Sequence, residues 1–232
     1  MNIVELKNTC RFYKSGSLIV KAVNEVALTI KRGEFAVLAG PSGSGKSTLL
    51  NLIGGLDRPD SGEVYIDGEL LNEKSDEQLT RIRLEKIGFI FQAYNLIPVL
   101  SAYENIQFIL QIRGIPDSRH EELIMPLIKE LGLEGMEQRR PPELSGGQQQ
   151  RVAVARAIIL EPAIILADEP TANLDSETAI NLLKLMKQLN EEKGITFLFS
   201  SHDPMVIETA KRVIAMRDGK IHDETLRHQN LP

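Results

Sequence analysis

The sequence has a single cysteine, Cys10, in 232 residues. One thiol forms no intramolecular disulfide, so no covalent staple is expected, and the chain suits a reducing compartment. Long apolar runs are missing too. A membrane-spanning helix needs about eighteen or more apolar residues in succession, and the apolar stretch from Ala157 to Ala167 is broken by Glu161 and Pro162. Met1 to Arg11 hold no apolar core of a cleavable leader. Basic charge is not in excess: 27 Lys and Arg stand against 32 Asp and Glu, a net charge of −5. That balance argues against nucleic acid as a main partner. Internal repeats and low-complexity segments are absent. The remainder is ordinary globular composition, 42% hydrophobic and 25% charged, long enough for one large domain or a core with a subdomain.

What is present is organised around Gly40-Pro41-Ser42-Gly43-Ser44-Gly45-Lys46-Ser47-Thr48. This stretch follows the apolar run Phe35 to Ala39 and opens a helical segment, Lys46 to Ile53, that Gly54 and Gly55 stop. Strand, glycine-rich loop and helix with the spacing G-x-x-x-x-G-K-[ST] describe a phosphate-binding loop. Its glycines let backbone N–H groups close round an anion, with the positive end of the helix dipole behind them. Lys46 is placed to reach the β- and γ-phosphates, and the Ser47 hydroxyl to ligate Mg²⁺. The expected ligand is a nucleoside triphosphate.

Around this loop, residues 1 to 39 read as strands, and Lys31 to Glu34 between two of them predicts a hairpin turn. Asp67-Gly68 after Val64 to Ile66 predicts a second hairpin. Ser75 to Lys86 is expected to be an exposed helix, and Ile87 to Phe91 a buried strand ending at Gln92. From 93 to 157 the period is helical: a capping box at Ser101 and Glu104 starts a helix to Gly114, and a second, about Asp117 to Leu131, contains Pro126. Strand–helix alternation then returns, with strands at Ala163–Ala167 and Ile195–Ser200, helices from Asp175 and Asp203, and a last hairpin turning at Asp218-Gly219. The class is α/β, with a mainly parallel sheet covered on both faces.

In such sheets, ligands lie beyond the carboxyl ends of the strands. Four predicted strand ends carry polar residues: the loop from Gly40, Gln92, Asp168 with Glu169, and His202. Asp168 would hold Mg²⁺, directly or through water, and Glu169 would polarise the water that attacks the γ-phosphorus. Gln92 offers an amide oxygen to Mg²⁺ or to that water, against the plainer reading of a surface loop residue. His202 would donate to the γ-phosphate, whereas His120, His222 and His228 have no motif to recommend them. Ser145-Gly146-Gly147-Gln148, after Leu144, is a capping box opening a long helix. Two adjacent glycines there give up helix stability, about 1 kcal/mol each, and offer bare N–H groups for a second anion site.

The ordered set GPSGSGKST, Gln92, LSGGQ, ILADE and His202 resembles the ATP-binding cassette (ABC) ATPases, over nearly the whole chain. The resemblance implies a P-loop NTPase (RecA-like) core with an antiparallel β subdomain, residues 1–92 and 158–232, and an inserted helical subdomain, residues 93–157, carrying LSGGQ. It implies ATP and Mg²⁺ as ligands, ATP hydrolysis with Glu169 as the catalytic base, and a head-to-tail homodimer in which Ser145 to Gln148 of one subunit face the phosphate loop of the other. By position Tyr13 matches the aromatic that stacks on adenine, with Phe12 a nearby rival. Asp175 matches the segment that crosses to the opposite site, or simply caps its helix. The stretches 52–59, 89–98 and 167–175 are similar to the MacB/LolD/FtsE group, whose partners are integral membrane subunits with extracytoplasmic domains. That implies a cytoplasmic protein, peripheral on the inner face of the cell membrane. The apolar residues Leu96 to Leu100 are then a docking edge, or else core of the helical insert. Ala172, Ser201 and Pro126 depart from the group's usual residues without removing a catalytic group. A small-molecule importer ATPase is the alternative; a soluble ABC ATPase acting on nucleic acid or ribosomes fits the acidic charge less well.

Overall fold

The computed structural model describes residues 1–16 and 18–227; His228 and the end of the second core segment, 228–232, lie outside the described residues. Strand β1 (Asn2–Ser15) pairs antiparallel with β2 (Leu18–Lys31). Next come β3 (Phe35–Ala39), the phosphate-loop segment and α1 (Lys46–Ile53). β4 (Ser61–Ile66) and the short β5 (Glu69–Leu70) form the expected hairpin over Asp67 and Gly68, both at positive φ as a two-residue turn of this type needs. Helix α2 (Asp76–Lys86) leads into β6 (Ile87–Ile90). α2 is not simply exposed: Leu79 and Ile82, three apart on one face, are buried.

The helical stretch holds α3 (Ala102–Arg113), α4 (His120–Glu130), with Pro126 inside it, and α5 (Gly146–Ile158). Then follow β7 (Ile164–Asp168), α6 (Ser176–Lys193), β8 (Phe197–Ser201), α7 (Pro204–Thr209), β9 (Arg212–Arg217) and β10 (Lys220–Leu226).

Two sheets result. One is four-stranded and antiparallel, in the order β2-β1-β4-β5. The other is six-stranded, in the order β10-β9-β3-β8-β7-β6, parallel except for the β9–β10 hairpin. The hairpin expected at Lys31 to Glu34 is therefore corrected. A turn is made there, Glu34 N–H donating to the Lys31 carbonyl at 3.2 Å, but β2 and β3 do not pair. They leave the turn into different sheets, because a five-residue strand buried at every position, as β3 is, belongs in the middle of a parallel sheet.

Alternation along β3 divides the interior. Ala36 and Leu38 face a core shared with α1 and the antiparallel sheet, including Ile30, Leu49, Ile53 and Ile66. Phe35 and Val37 face the helices, in a core with Ile106, Ile128, Val152, Leu183 and Phe199. There Phe35 packs against the rings of Phe197 and Phe199 at centroid distances of 5.6 and 5.0 Å. Leu96 also packs against this second core, whereas Val99 is 68% exposed. The apolar 96–100 segment is thus neither all core nor all docking edge.

Candidate active site

Because β6, β7, β8 and β3 run parallel, their carboxyl ends open on one side of the sheet. An open cleft of about 780 Å³ lies there. Ser42, Gly43 and Gly45 to Thr48 line it, together with Tyr13, Gln92, Glu169 and His202. Gly40, Pro41 and Ser44 complete the loop behind this wall. Two glycines are required by the geometry. Gly45 has φ of +103°, and a Cβ on it would lie 2.0 Å from the Ala22 carbonyl oxygen; a Cβ on Gly40 would lie 2.2 Å from that of Met216. The strands packed behind the loop leave no room for a side chain at either position.

Lys46, only 6% exposed, folds back over the loop. Its Nζ donates to the carbonyls of Gly40 at 2.8 Å and Pro41 at 3.1 Å, and stands 3.8 Å from Glu169 Oε1. Ser47 Oγ donates to Asp168 Oδ1 at 3.0 Å. Ser200 Oγ donates to the same oxygen at 2.6 Å and accepts the Glu169 N–H at 2.9 Å. Glu169 sits at φ of +45°, a left-handed conformation that costs a non-glycine residue about 1 kcal/mol or more and persists only where neighbours enforce it. Its Oε1 is 2.9 Å from His202 Nδ1.

Gln92 lines the cleft, and its backbone carbonyl accepts from Asn173 Nδ2 at 2.9 Å. Of the two candidate aromatics, Tyr13 lines the cleft and Phe12 does not. Ser200 is the residue that sequence reading missed. Its signal was two successive serines ending an otherwise apolar strand, Phe197 to Ser201, all buried. Two other described histidines stay outside: His120 is buried and hydrogen-bonded to the Ile115 carbonyl at 2.8 Å, and His222 is exposed on β10.

Ser145 to Gln148 and Asp175 do not line this cleft. Ser145 caps α5, accepting the Gln148 N–H at 3.3 Å while Gln148 Oε1 accepts the Ser145 N–H at 2.9 Å. Asp175 caps α6, accepting the Thr178 N–H at 3.0 Å. Hydrogen bonds from the Thr178 side chain and backbone hold its carboxyl below the ordinary range. A Cβ on Gly147 would lie 2.4 Å from Thr178 Cγ2, so the α6 N-terminus packs directly on the bare turn of α5.

Among the described residues no helix is long and apolar enough to cross a membrane. Comparison with known proteins agrees with the geometry. A family model described as ABC transporter matches residues 23–172. An ABC transporter ATP-binding protein of Methanocaldococcus jannaschii, MJ0796, is 47% identical over 228 residues, covering 96% of each chain. A solved structure described as a dimeric, post-hydrolysis state of the MJ0796 cassette bound to ADP and Pi superposes with a TM-score of 0.89 at 46% identity, covering 96% of this chain and 98% of that one. The macrolide export ATP-binding/permease protein MacB of Mannheimia succiniciproducens is 44% identical over 98% of this chain, which spans only 35% of MacB's length. The chain belongs to the ABC transporter family, as an ATP-binding and ATP-hydrolysing cassette.

Proposed function

We propose that this cassette hydrolyses ATP in a site completed by a second copy, and that closing and reopening of the pair drives a membrane subunit. The observation that carries the reading is the division of the motifs. The phosphate loop, Glu169, His202, Gln92 and Tyr13 share one cleft, while Ser145 to Gln148 present an N-terminal turn of α5 outside it. A head-to-tail partner brings that turn to the γ-phosphate, where its N–H groups meet an anion. Asp175 then approaches the opposite site. The dimeric form of the similar MJ0796 cassette supports this arrangement.

Within the site, Lys46 exchanges the Gly40 and Pro41 carbonyls for phosphate oxygens. Ser47 Oγ and Asp168 Oδ1, 3.0 Å apart, with the Gln92 amide oxygen, are oxygen donors of the kind that would hold Mg²⁺, and the ion would supply neutralisation of phosphate charge. Tyr13 stacks on the base. Glu169 accepts the proton of the attacking water. In the neutral ring whose Nδ1–H donates to Glu169, His202 Nε2 carries no proton. To donate to the γ-phosphate, His202 must therefore turn away from Glu169 or take up a second proton.

The partner we assign is an integral membrane subunit with an extracytoplasmic domain, of the MacB/LolD/FtsE kind, which puts the cassette on the inner face of the cell membrane. The similarity to MacB supports this choice. The test is the solution mass of Glu169→Gln with and without ATP. The variant is expected to bind ATP without turning it over, and to pass from monomer to dimer only with ATP. A variant that binds ATP and stays monomeric would refute closure of the isolated cassette and leave Ser145 as a helix cap alone.

A further inference from the structure

Four side chains behind the cleft form a network that nucleotide chemistry does not account for. Tyr13 Oη donates to Asp57 Oδ2 at 2.7 Å, and Arg11 Nε donates to the same oxygen at 2.9 Å. The Arg11 guanidinium also lies over the Tyr13 ring, 4.9 Å from its centroid. Asp60 ties in the backbone: its carboxylate accepts from Arg11 Nη1 at 3.1 Å and from the Phe12 N–H at 2.6 Å, and its own N–H donates to the Cys10 carbonyl at 2.8 Å. Asp57 and Asp60 belong to the segment that leaves α1, the helix that begins in the phosphate loop.

We infer that Arg11 and Asp57 are positioning residues that hold the Tyr13 ring as a fixed platform for the nucleotide base, at a set distance from the phosphate loop. The inference rests on the reading of Tyr13 as the base platform. A tyrosine ring has two free torsions. Here one face is covered by the guanidinium and the hydroxyl is held by a carboxylate, so both are fixed before nucleotide arrives. The residue itself lines the cleft. Asp57 keeps its charge for this task. Burial pushes its carboxyl up, but hydrogen bonds from Tyr13, the Arg58 N–H and Arg11 outweigh that and hold it below the ordinary range. A ring fixed in advance binds a base with less loss of rotamer freedom than one that must be ordered on binding. The anchor also ties β1 to the exit of α1, so base and triphosphate are held by one rigid unit.

A purely structural staple would make the same contacts, and a ligand without a base separates the two roles. The measurement is calorimetric binding of ATP and of inorganic tripolyphosphate, each with Mg²⁺, to the full chain and to Arg11→Gln, Asp57→Asn, Tyr13→Phe and Tyr13→Ala. Loss of one charge-assisted hydrogen bond at the platform is expected to weaken ATP binding about fivefold, with tripolyphosphate binding unchanged. Tyr13→Phe removes one donor and Asp57→Asn neutralises the acceptor that Tyr13 and Arg11 share, so the loss in the double variant is expected to be smaller than the sum of the two single losses. Equal weakening of both ligands would overturn the inference in favour of the staple. ATP binding weakened in Tyr13→Ala alone would overturn the anchor and keep the platform. ATP binding unchanged in Tyr13→Ala would overturn the platform reading and the anchor with it.

Discussion

At the scale of single residues, the polar side chains at the strand ends hold one another. Lys46, Ser47, Asp168, Glu169, Ser200 and His202 are joined by the contacts described above, so each charge among them has a partner. The one hydroxyl of Ser200 serves Asp168 as donor and the Glu169 N–H as acceptor. Ser200→Ala leaves that half-buried N–H without its side-chain acceptor and Asp168 with Ser47 as its remaining side-chain donor. Steady-state hydrolysis is expected to lose about tenfold in kcat. Ser201→Ala is the control: that hydroxyl accepts the Asp203 N–H at the start of α7 instead, and kcat is expected to stay within about twofold of the parent. Equal losses in the two variants would show that the strand end matters only for stability.

At the scale of elements, local chemistry and long-range pairing part company. Ser101 lies before α3, its Oγ accepting the Glu104 N–H at 3.2 Å while Glu104 Oε2 accepts the Ser101 N–H at 2.7 Å. Ser101→Ala is expected to cost about 1 kcal/mol, read as a lower urea midpoint at an unchanged m-value, with kcat preserved. An unchanged midpoint would mean that the helix ends rely on packing alone. Such caps were legible at Ser101 and Ser145 because a capping box spans four consecutive residues. The phosphate loop and its following helix were legible for the same reason. The partners of β3 were not. Its burial on both faces is written in Phe35 to Ala39, but which strands flank it depends on residues far along the chain, and the Lys31–Glu34 turn looks the same whether its strands pair or separate. Ser200 escaped notice because its role comes from β7 lying beside β8. Leu96 and Val99, three residues apart in one apolar segment, differ only in which side of that segment meets the core.

At the scale of the whole molecule, the proposed cycle asks for one face toward a second copy and another toward a membrane subunit. Val99, 68% exposed beside the loop that carries Gln92, is the better probe of the second face, since Leu96 is part of the packing. Val99→Asp is expected to abolish co-purification with the membrane subunit, while the isolated cassette hydrolyses ATP within about twofold of the parent rate. Retention of the partner would move the docking face elsewhere.

The order of the large sheet has a consequence for synthesis. The strand that delivers the phosphate loop is flanked by β8 and β9, in register from Phe35 with Phe197 and from Ala36 with Arg212. The turn that precedes it is likewise fastened by the Gly33 N–H donating to Thr196 Oγ1, 163 positions away. A growing chain therefore carries the whole phosphate-loop sequence long before it carries the strands that hold the loop in shape. Until β8 and β9 have been made the nucleotide site exists only as sequence, and competence to bind ATP waits on both strands.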